Sequence, residues 1–585
     1  MNLKKRAMQL AAVLLSLAVL LPSVPAAFAS QSAAEETAVV FSESGITAAD
    51  ESGLSIDGTT LTIEQAGTYV LSGTCSDGSV KVKKDVTGVT LVLSGLDLTS
   101  STTAPITCGK SSGVTILAAE GTENALTDAA ANNSDNYPDN ADAENAVIKC
   151  KDGSQVTIGG TGTLTVTANG KNGIKSGTTT DEEGTAWLVI EDLTLTINAP
   201  VNDAVNAEAS LTVKSGTITI DAGDDALHAD YALAIGESGT AGPTITINSC
   251  YEGLAGANLL VASGAITIYS EDDCLNAANS DLTGYDFTMD ITGGTIWAYA
   301  ASDDGLDSNG SLTISGGTLT VWTANTADNQ ALDADGTITV SGGTVFAAGG
   351  SAGMGMTLSA SQPYVTFGTQ ASQPGQGGSR QALGGNAPGG QQDGSTPPSM
   401  PDGQSGSQPQ QPGGAQTTGT QQTPPEKPQG SPDGSSAPEP PTGGGQPGQD
   451  AQQGTSGAPD GQGGMAQPGG VSSLGIQSGS AVTVQDTDGN TLFDGEAPCA
   501  VSTVFFSSPD LTDGETATLT SDGEGVATAT ASTDGSGTSQ TITPAAQTAA
   551  ATSSQKWLTL GLVTAAGVAA VVGAAIAVKK LKKKD

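Results

Sequence analysis

A short strand motif recurs through the first two-thirds of this chain, with no helical periodicity visible between copies. It reads Thr163-Leu164-Thr165-Val166, Leu193-Thr194-Leu195-Thr196-Ile197, Thr217-Ile218-Thr219-Ile220, Thr244-Ile245-Thr246-Ile247, Ala265-Ile266-Thr267-Ile268 and Thr318-Leu319-Thr320-Val321. Strict alternation of apolar and polar residues predicts strands with one buried and one exposed face. Several are introduced by a glycine, as at Gly216, Gly264 and Gly294. Each is followed by a polar turn and an apolar anchor: Ile174, Val205, Leu227, Leu254, Leu275, Leu306 and Leu332. The anchors lie 31, 22, 27, 21, 31 and 26 residues apart. A short repeat with variable insertions is the signature of a solenoid. With no helical periodicity between strands, a leucine-rich horseshoe does not fit. The expected fold class is all-β, a parallel β-helix with inward ladders of Ile, Leu and Val and outward ladders of Thr. A β-sandwich with regular turns is the competing architecture.

Composition narrows the function. The 585 residues carry 20 Lys+Arg and 61 Asp+Glu, a formal net charge of −41. Eight of the basic residues sit at the two ends of the chain. Such a surface repels nucleic acid and anionic lipid. The 80 glycines and sparse leucines exclude a coiled coil. Aromatics make up 3% of the chain, so the core must be thin and repetitive.

The ends read as targeting segments. Lys4, Lys5 and Arg6 precede an apolar run and Ala27-Phe28-Ala29, the pattern of a signal peptide over 1–29. Trp557 to Val578 is uncharged, and at about 1.5 Å per residue it is long enough for a bilayer core. Five lysines follow it, so 557–578 is expected to be a transmembrane helix and 579–585 a cytoplasmic tail. Residues 369–470 are rich in Gly, Pro and Gln and lack Val, Ile, Phe, Tyr and Trp, which predicts a disordered insert. The β-helix is expected over 30–368. Residues 471–525 are its C-terminal β part, with a hairpin around Asp486-Thr487-Asp488-Gly489-Asn490, and 526–556 are a flexible stalk. Six cysteines show no CxxC spacing, so buried thiols are favoured over a zinc or redox motif.

Aligning the coils on their anchors exposes two candidate sites. Acidic or amide pairs precede the anchors: Asn202-Asp203, Asp224-Asp225, Asp272-Asp273 and Asp303-Asp304, with Glu252 and Asp328 in the other coils. Asn206, His228, Asn276, Asp307 and Asp333 follow them. Coils stack about 4.8 Å apart, so the carboxylates repel unless protonated or bridged by a cation. Hard oxygen ligands at one corner suit Ca²⁺, with Asp203, Asp224, Asp225, Asp272, Asp273, Asp303, Asp304 and Asp307 as ligands; solvated turn residues are the alternative. The second site is an outward column, Asn198, Asp221, Asn248, Tyr269, Tyr299 and Trp322, with Trp297 and Phe346 in a neighbouring register. Tyr269, Trp297, Tyr299 and Trp322 suit stacking on sugar rings; a purely stabilising aromatic ladder is the alternative.

The Gly-Thr-Ile/Leu-Thr coils, the Asp-Asp-x-Leu turns, the Gly/Gln/Pro stretch and Ser507-Ser508-Pro509-Asp510-Leu511 resemble a family of clostridial-type surface carbohydrate-binding proteins. The resemblance covers 35–368 and 471–525. It implies a right-handed, pectate-lyase-like β-helix with bound calcium, and cellulose or acidic sugars such as polygalacturonate as ligands. The pattern is incomplete at Asn202-Asp203-Ala204-Val205 and Tyr251-Glu252-Gly253-Leu254. The chain is therefore expected to be an exported, membrane-anchored polysaccharide binder at the cell surface. A calcium-dependent polysaccharide lyase or glycoside hydrolase acting on pectin is the less favoured reading, because a lyase needs a base and Arg380 is the one arginine beyond the signal segment, while the acidic pairs a hydrolase would need repeat in successive coils as a scaffold would. Lys214 is the candidate base for that alternative. A structural or adhesive surface protein is the third reading.

Overall fold

The computed structural model describes residues 36–179, 186–324, 329–350, 357–368, 474–537 and 539–542. The expected signal peptide, the 369–470 insert, the transmembrane helix and the cytoplasmic tail lie outside the described residues. Among those residues the chain is all-β, without a helix, and so without one long and apolar enough to cross a membrane.

The repeated strands pair in parallel, each with its counterpart in the next coil. Thr163–Thr167, Thr194–Ala199, Thr217–Ala222, Thr244–Ser249, Ala265–Ser270, Thr295–Ala300, Thr318–Thr323 and Thr344–Gly349 form one continuous ladder. Its inward column runs Leu195, Ile218, Ile245, Ile266, Ile296, Leu319, all essentially buried. Its outward column runs Thr165, Thr196, Thr219, Thr246, Thr267. The period of two decides this: stacking in register keeps every Ile over an Ile.

The anchors form a second parallel ladder. Ile174, Val205, Leu227, Leu254, Leu275, Leu306 and Leu332 align one above another, and all are buried. A third ladder, absent from the sequence reading, passes through Ser210–Val213, the Ala232–Ile235 end of Leu227–Ile235, the Asn258–Val261 end of Leu254–Val261, Thr288–Ile291, Ser311–Ile314 and Thr337–Val340. Each coil thus has three faces around a single apolar interior. Glycine opens the first face for a steric reason. Gly216 has φ +102° and Gly264 has φ +118°; a Cβ on either would lie 2.6 or 2.8 Å from a carbonyl oxygen of the preceding coil.

The ladder ends in an antiparallel closure. Thr503–Ser507 pairs with Thr344–Gly349 on one side and with Tyr364–Phe367 on the other. A separate antiparallel sheet comprises Thr491–Glu496, Ala481–Gln485, Thr516–Ser521, Glu524–Thr530 and Ser539–Thr541. The expected hairpin is present, with Asn490 N–H donating to Asp486 Oδ1 at 2.7 Å. The stalk boundary at 525–526 needs correction. It falls inside Glu524–Thr530, because Ala527 and Ala529 are buried in this sheet. Five cysteines, Cys75, Cys108, Cys150, Cys250 and Cys274, are buried free thiols, and Cys499 is half-buried.

Each anchor fills the interior between two neighbours, so truncation leaves a cavity no single coil can close. Leu254→Ala is expected to cost about 3 kcal/mol, whereas Thr246→Ala, on the outward face, should stay within about 0.5 kcal/mol. Chemical denaturation of both variants checks the contrast.

Candidate functional site

The corner between the first and second faces carries the acidic pairs, and the inner member of several pairs has a structural task. Asp304 N–H donates to Asp273 Oδ1 at 3.0 Å, Gln330 N–H to Asp304 Oδ1 at 2.5 Å, and Asp225 N–H to Asp203 Oδ1 at 3.3 Å. Each carboxylate satisfies a backbone amide of the next coil. Burial raises all three, to about 6 for Asp203, about 9 for Asp273 and about 7 for Asp304, and neighbouring carboxylates add to the effect. The outer members Asp224 and Asp272 are half-buried, and Asp303 is exposed.

The eight expected metal ligands therefore do not form one continuous site. Around His228 the carboxylates are matched by a protein cation instead. Its Nδ1 lies 2.8 Å from Asp225 Oδ2 and its Nε2 3.2 Å from Asp230 Oδ1. Burial opposes charge on the ring, but the two carboxylates outweigh it and raise its pKa to about 10. Asp203 is engaged by the Asn206 amide at 2.5 Å. Farther along the corner no cationic side chain is available among the described residues, and the acids converge. One oxygen each from Asp304, Asp307 and Asp333 lies within 4.8 Å of the others. Asp307 is raised to about 6, by burial first and then by Asp333. Asp333 was visible in the sequence as the residue after its anchor but was not among the eight ligands.

These residues belong to a longer column. The residues following the anchors stack outward as Lys81, Thr107, Lys149, Lys175, Asn206, His228, Ala255, Asn276 and Asp307, with Asp333 after Leu332. The column changes sign along its length, from lysine through amide and imidazole to carboxylate. The lysine end was missed because the alignment began at Ile174.

The aromatic column is in the expected register: Tyr269 opposes Tyr299, and Tyr299 opposes Trp322. A register shift after Ile220 places Ser249, not Asn248, opposite Asp221. Accessibility divides the four aromatics. Tyr269 is 46% exposed and its ring centroid lies 4.9 Å from that of Trp297. Trp297 and Tyr299 are half-buried against the second apolar cluster. Trp322 is fully buried and offers no face to a ligand. The reason is the C-terminal β part: Trp322 packs on Phe346 at 4.9 Å, and Phe346 stacks on Phe493 at 3.7 Å. Alternation alone could not reveal that this outward face is covered at one end. Lys214 stands at the end of Ser210–Val213, on the third face, paired with Glu191 at 3.1 Å. It is thus not brought to the Asp224-Asp225 corner.

His228 adds its own pH response to that of the raised carboxylates in the corner. Its folded pKa lies above the ordinary 6.5, so its contribution is full below 6.5 and is lost as pH rises toward about 10. His228→Gln leaves Asp225 without its counter-charge and is expected to cost about 3 kcal/mol near pH 7. The difference in stability from the unmodified chain should shrink between pH 7 and 10, as followed by thermal denaturation.

Comparison with known proteins places the chain in a family. A family model described as "Carbohydrate-binding domain-containing protein" matches residues 57–353. A carbohydrate-binding domain-containing protein of Acetivibrio thermocellus is 38% identical over 145 residues, 24% of this chain and 48% of the relative. The match thus spans about half the length of that relative. A solved polysaccharide lyase-like protein from C. thermocellum, a gadolinium derivative, is 25% identical over 52% of this chain and 97% of its own, with a TM-score of 0.31. With the family model covering half of its length, the chain belongs to the family of carbohydrate-binding domain-containing proteins.

Proposed function

We propose that this chain is a membrane-anchored, cell-surface polysaccharide-binding protein whose parallel coils wind as a right-handed β-helix stabilised by calcium. Family membership supports carbohydrate binding, and the observation that carries the reading to a surface is the exposed Tyr269 ring resting against the half-buried Trp297. In each of these coils the aromatic strand leads directly into the acidic corner: Tyr269 precedes Asp272-Asp273, and Tyr299 precedes Asp303-Asp304. The two rings are tilted 47° to one another, and each offers an apolar face with a polar edge, which suits the C–H faces of successive sugars in a glucan. The signal-like and anchor-like ends of the sequence support the location.

Calcium fits the donor set. Asp304, Asp307 and Asp333 offer hard, converging oxygens, and among the described residues this group has no protein cation of its own. Burial raises Asp304 and Asp307, and a divalent cation there would relieve the mutual repulsion that adds to it. It would also give a uronate carboxylate a bridge to an acidic protein. Catalysis is not part of this reading, since Lys214, the candidate base, is on another face and already paired.

Two measurements on the full chain in detergent test the proposal. Tyr269→Ala, which truncates the exposed ring, should weaken binding of a soluble cello-oligosaccharide at least tenfold by calorimetry, with little change in melting temperature; unchanged binding would sink the platform. Calcium should raise the melting temperature of the unmodified chain, and Asp307→Asn with Asp333→Asn should abolish that rise. An equal rise in the double variant would remove the metal from the corner.

A further inference from the structure

We infer that the lysine end of the anchor column is a second, metal-independent site for anionic groups of a polysaccharide, centred on Lys149. The inference rests on the polysaccharide reading above. Its first basis is a local charge imbalance. Nine lysines are described, and seven of them pair with a carboxylate within 4.0 Å. Among the described residues Lys81 and Lys149 are the two without such a pair, and both stand in the same outward column.

The carboxylates near Lys149 are already engaged. Glu144 pairs with Lys151 at 2.6 Å, and Glu208 pairs with Lys175 at 3.0 Å. Lys175 also donates to Asn206 Oδ1 at 2.9 Å. Three lysines thus face two carboxylates, leaving one surplus positive charge in a chain of net charge −41. Lys149 and Lys175 lie directly opposite each other on neighbouring parallel strands. Like charges at that spacing are unfavourable, and burial together with Lys175 pulls the Lys149 ammonium below its ordinary value. An external anion removes both penalties at once.

The second basis is independent of charge. Thr107 sits between Lys81 and Lys149 in the column, 5% exposed, and its buried hydroxyl has no hydrogen-bond partner. A column of ammonium, hydroxyl, ammonium, ammonium repeating at the coil spacing of about 4.8 Å matches a linear polymer carrying regularly spaced carboxylates. The ligand class is an acidic polysaccharide such as a polyuronate, held here by direct charge-assisted hydrogen bonds. The acidic end of the same column would require a bridging cation. One polymer lying along the column would meet both.

The test uses the full chain, polygalacturonate as the anionic probe and a soluble cello-oligosaccharide as the neutral one, both in excess chelator. The unmodified chain is expected to retain polygalacturonate binding that weakens with added salt. Lys149→Met should reduce this binding about tenfold and lessen its salt dependence. Lys149→Arg should keep it, and Lys214→Met, on the third face, should not alter it. Neutral-sugar binding and melting temperature should stay unchanged in Lys149→Met. Should that variant fold poorly, Lys81→Met carries the same expectation with a smaller loss. Polygalacturonate binding that vanishes in chelator, or survives Lys149→Met with Lys81→Met undiminished, would overturn the lysine site and leave the polysaccharide reading standing. Binding of neither probe, with or without calcium, would overturn both.

Discussion

Everything in this structure hangs on the hydrogen-bonded spacing between one coil and the next. That spacing puts Ile over Ile, Thr over Thr and carboxylate over carboxylate, so the consequence of a residue type is multiplied down the axis. For apolar residues the multiplication is favourable, because each inward side chain is covered above and below by its own kind. For acidic residues it is unfavourable, and the fold must answer it coil by coil. Three answers are visible. Asp203, Asp273 and Asp304 turn one oxygen to a backbone amide of the next coil. Asp225 takes the imidazole of His228. Asp304, Asp307 and Asp333 are left facing one another.

The same stacking organises the outer surface. An outward column is a one-dimensional array whose members need not be alike, since each faces solvent as well as its neighbours. The anchor column uses this freedom to pass from Lys81 through His228 to Asp333. A strongly acidic protein thereby keeps a basic strip without folding its lysines into a pocket. The aromatic column shows the complementary case. Tyr269 and Trp297 stay accessible, while Trp322 and Phe346 are claimed by the C-terminal part.

Legibility in the sequence followed the strength of the local signal. The Thr-Ile strands and the leucine anchors were readable because their alternation and spacing repeat, and the structure stacks all seven anchors in one column. The third face was not, since only two residues separate Val205–Ala207 from Ser210–Val213, or Leu306–Ser308 from Ser311–Ile314. A corner that short leaves no mark of its own. The Tyr269, Tyr299, Trp322 register was also legible, but its burial was not, because the covering residues Phe493 and Phe506 come from far along the chain. The acidic pairs looked equivalent as sequence. What separates them is partner geometry: a single histidine makes the Asp225 coil different from the Asp304 coil.

The antiparallel closure carries a consequence for biogenesis. Val345 pairs with Ser507, and Gln362 donates to the Ser507 hydroxyl at 2.9 Å, so the last coil is sealed by residues about 150 positions later. A chain made from its N-terminus completes the parallel stack well before the sealing strand emerges. During that interval Thr344–Gly349 presents an open parallel edge, able to template another chain. Parallel coils add one at a time through near neighbours, whereas this closure demands a single long-range encounter, whose loop-closure entropy must be met before its contacts form.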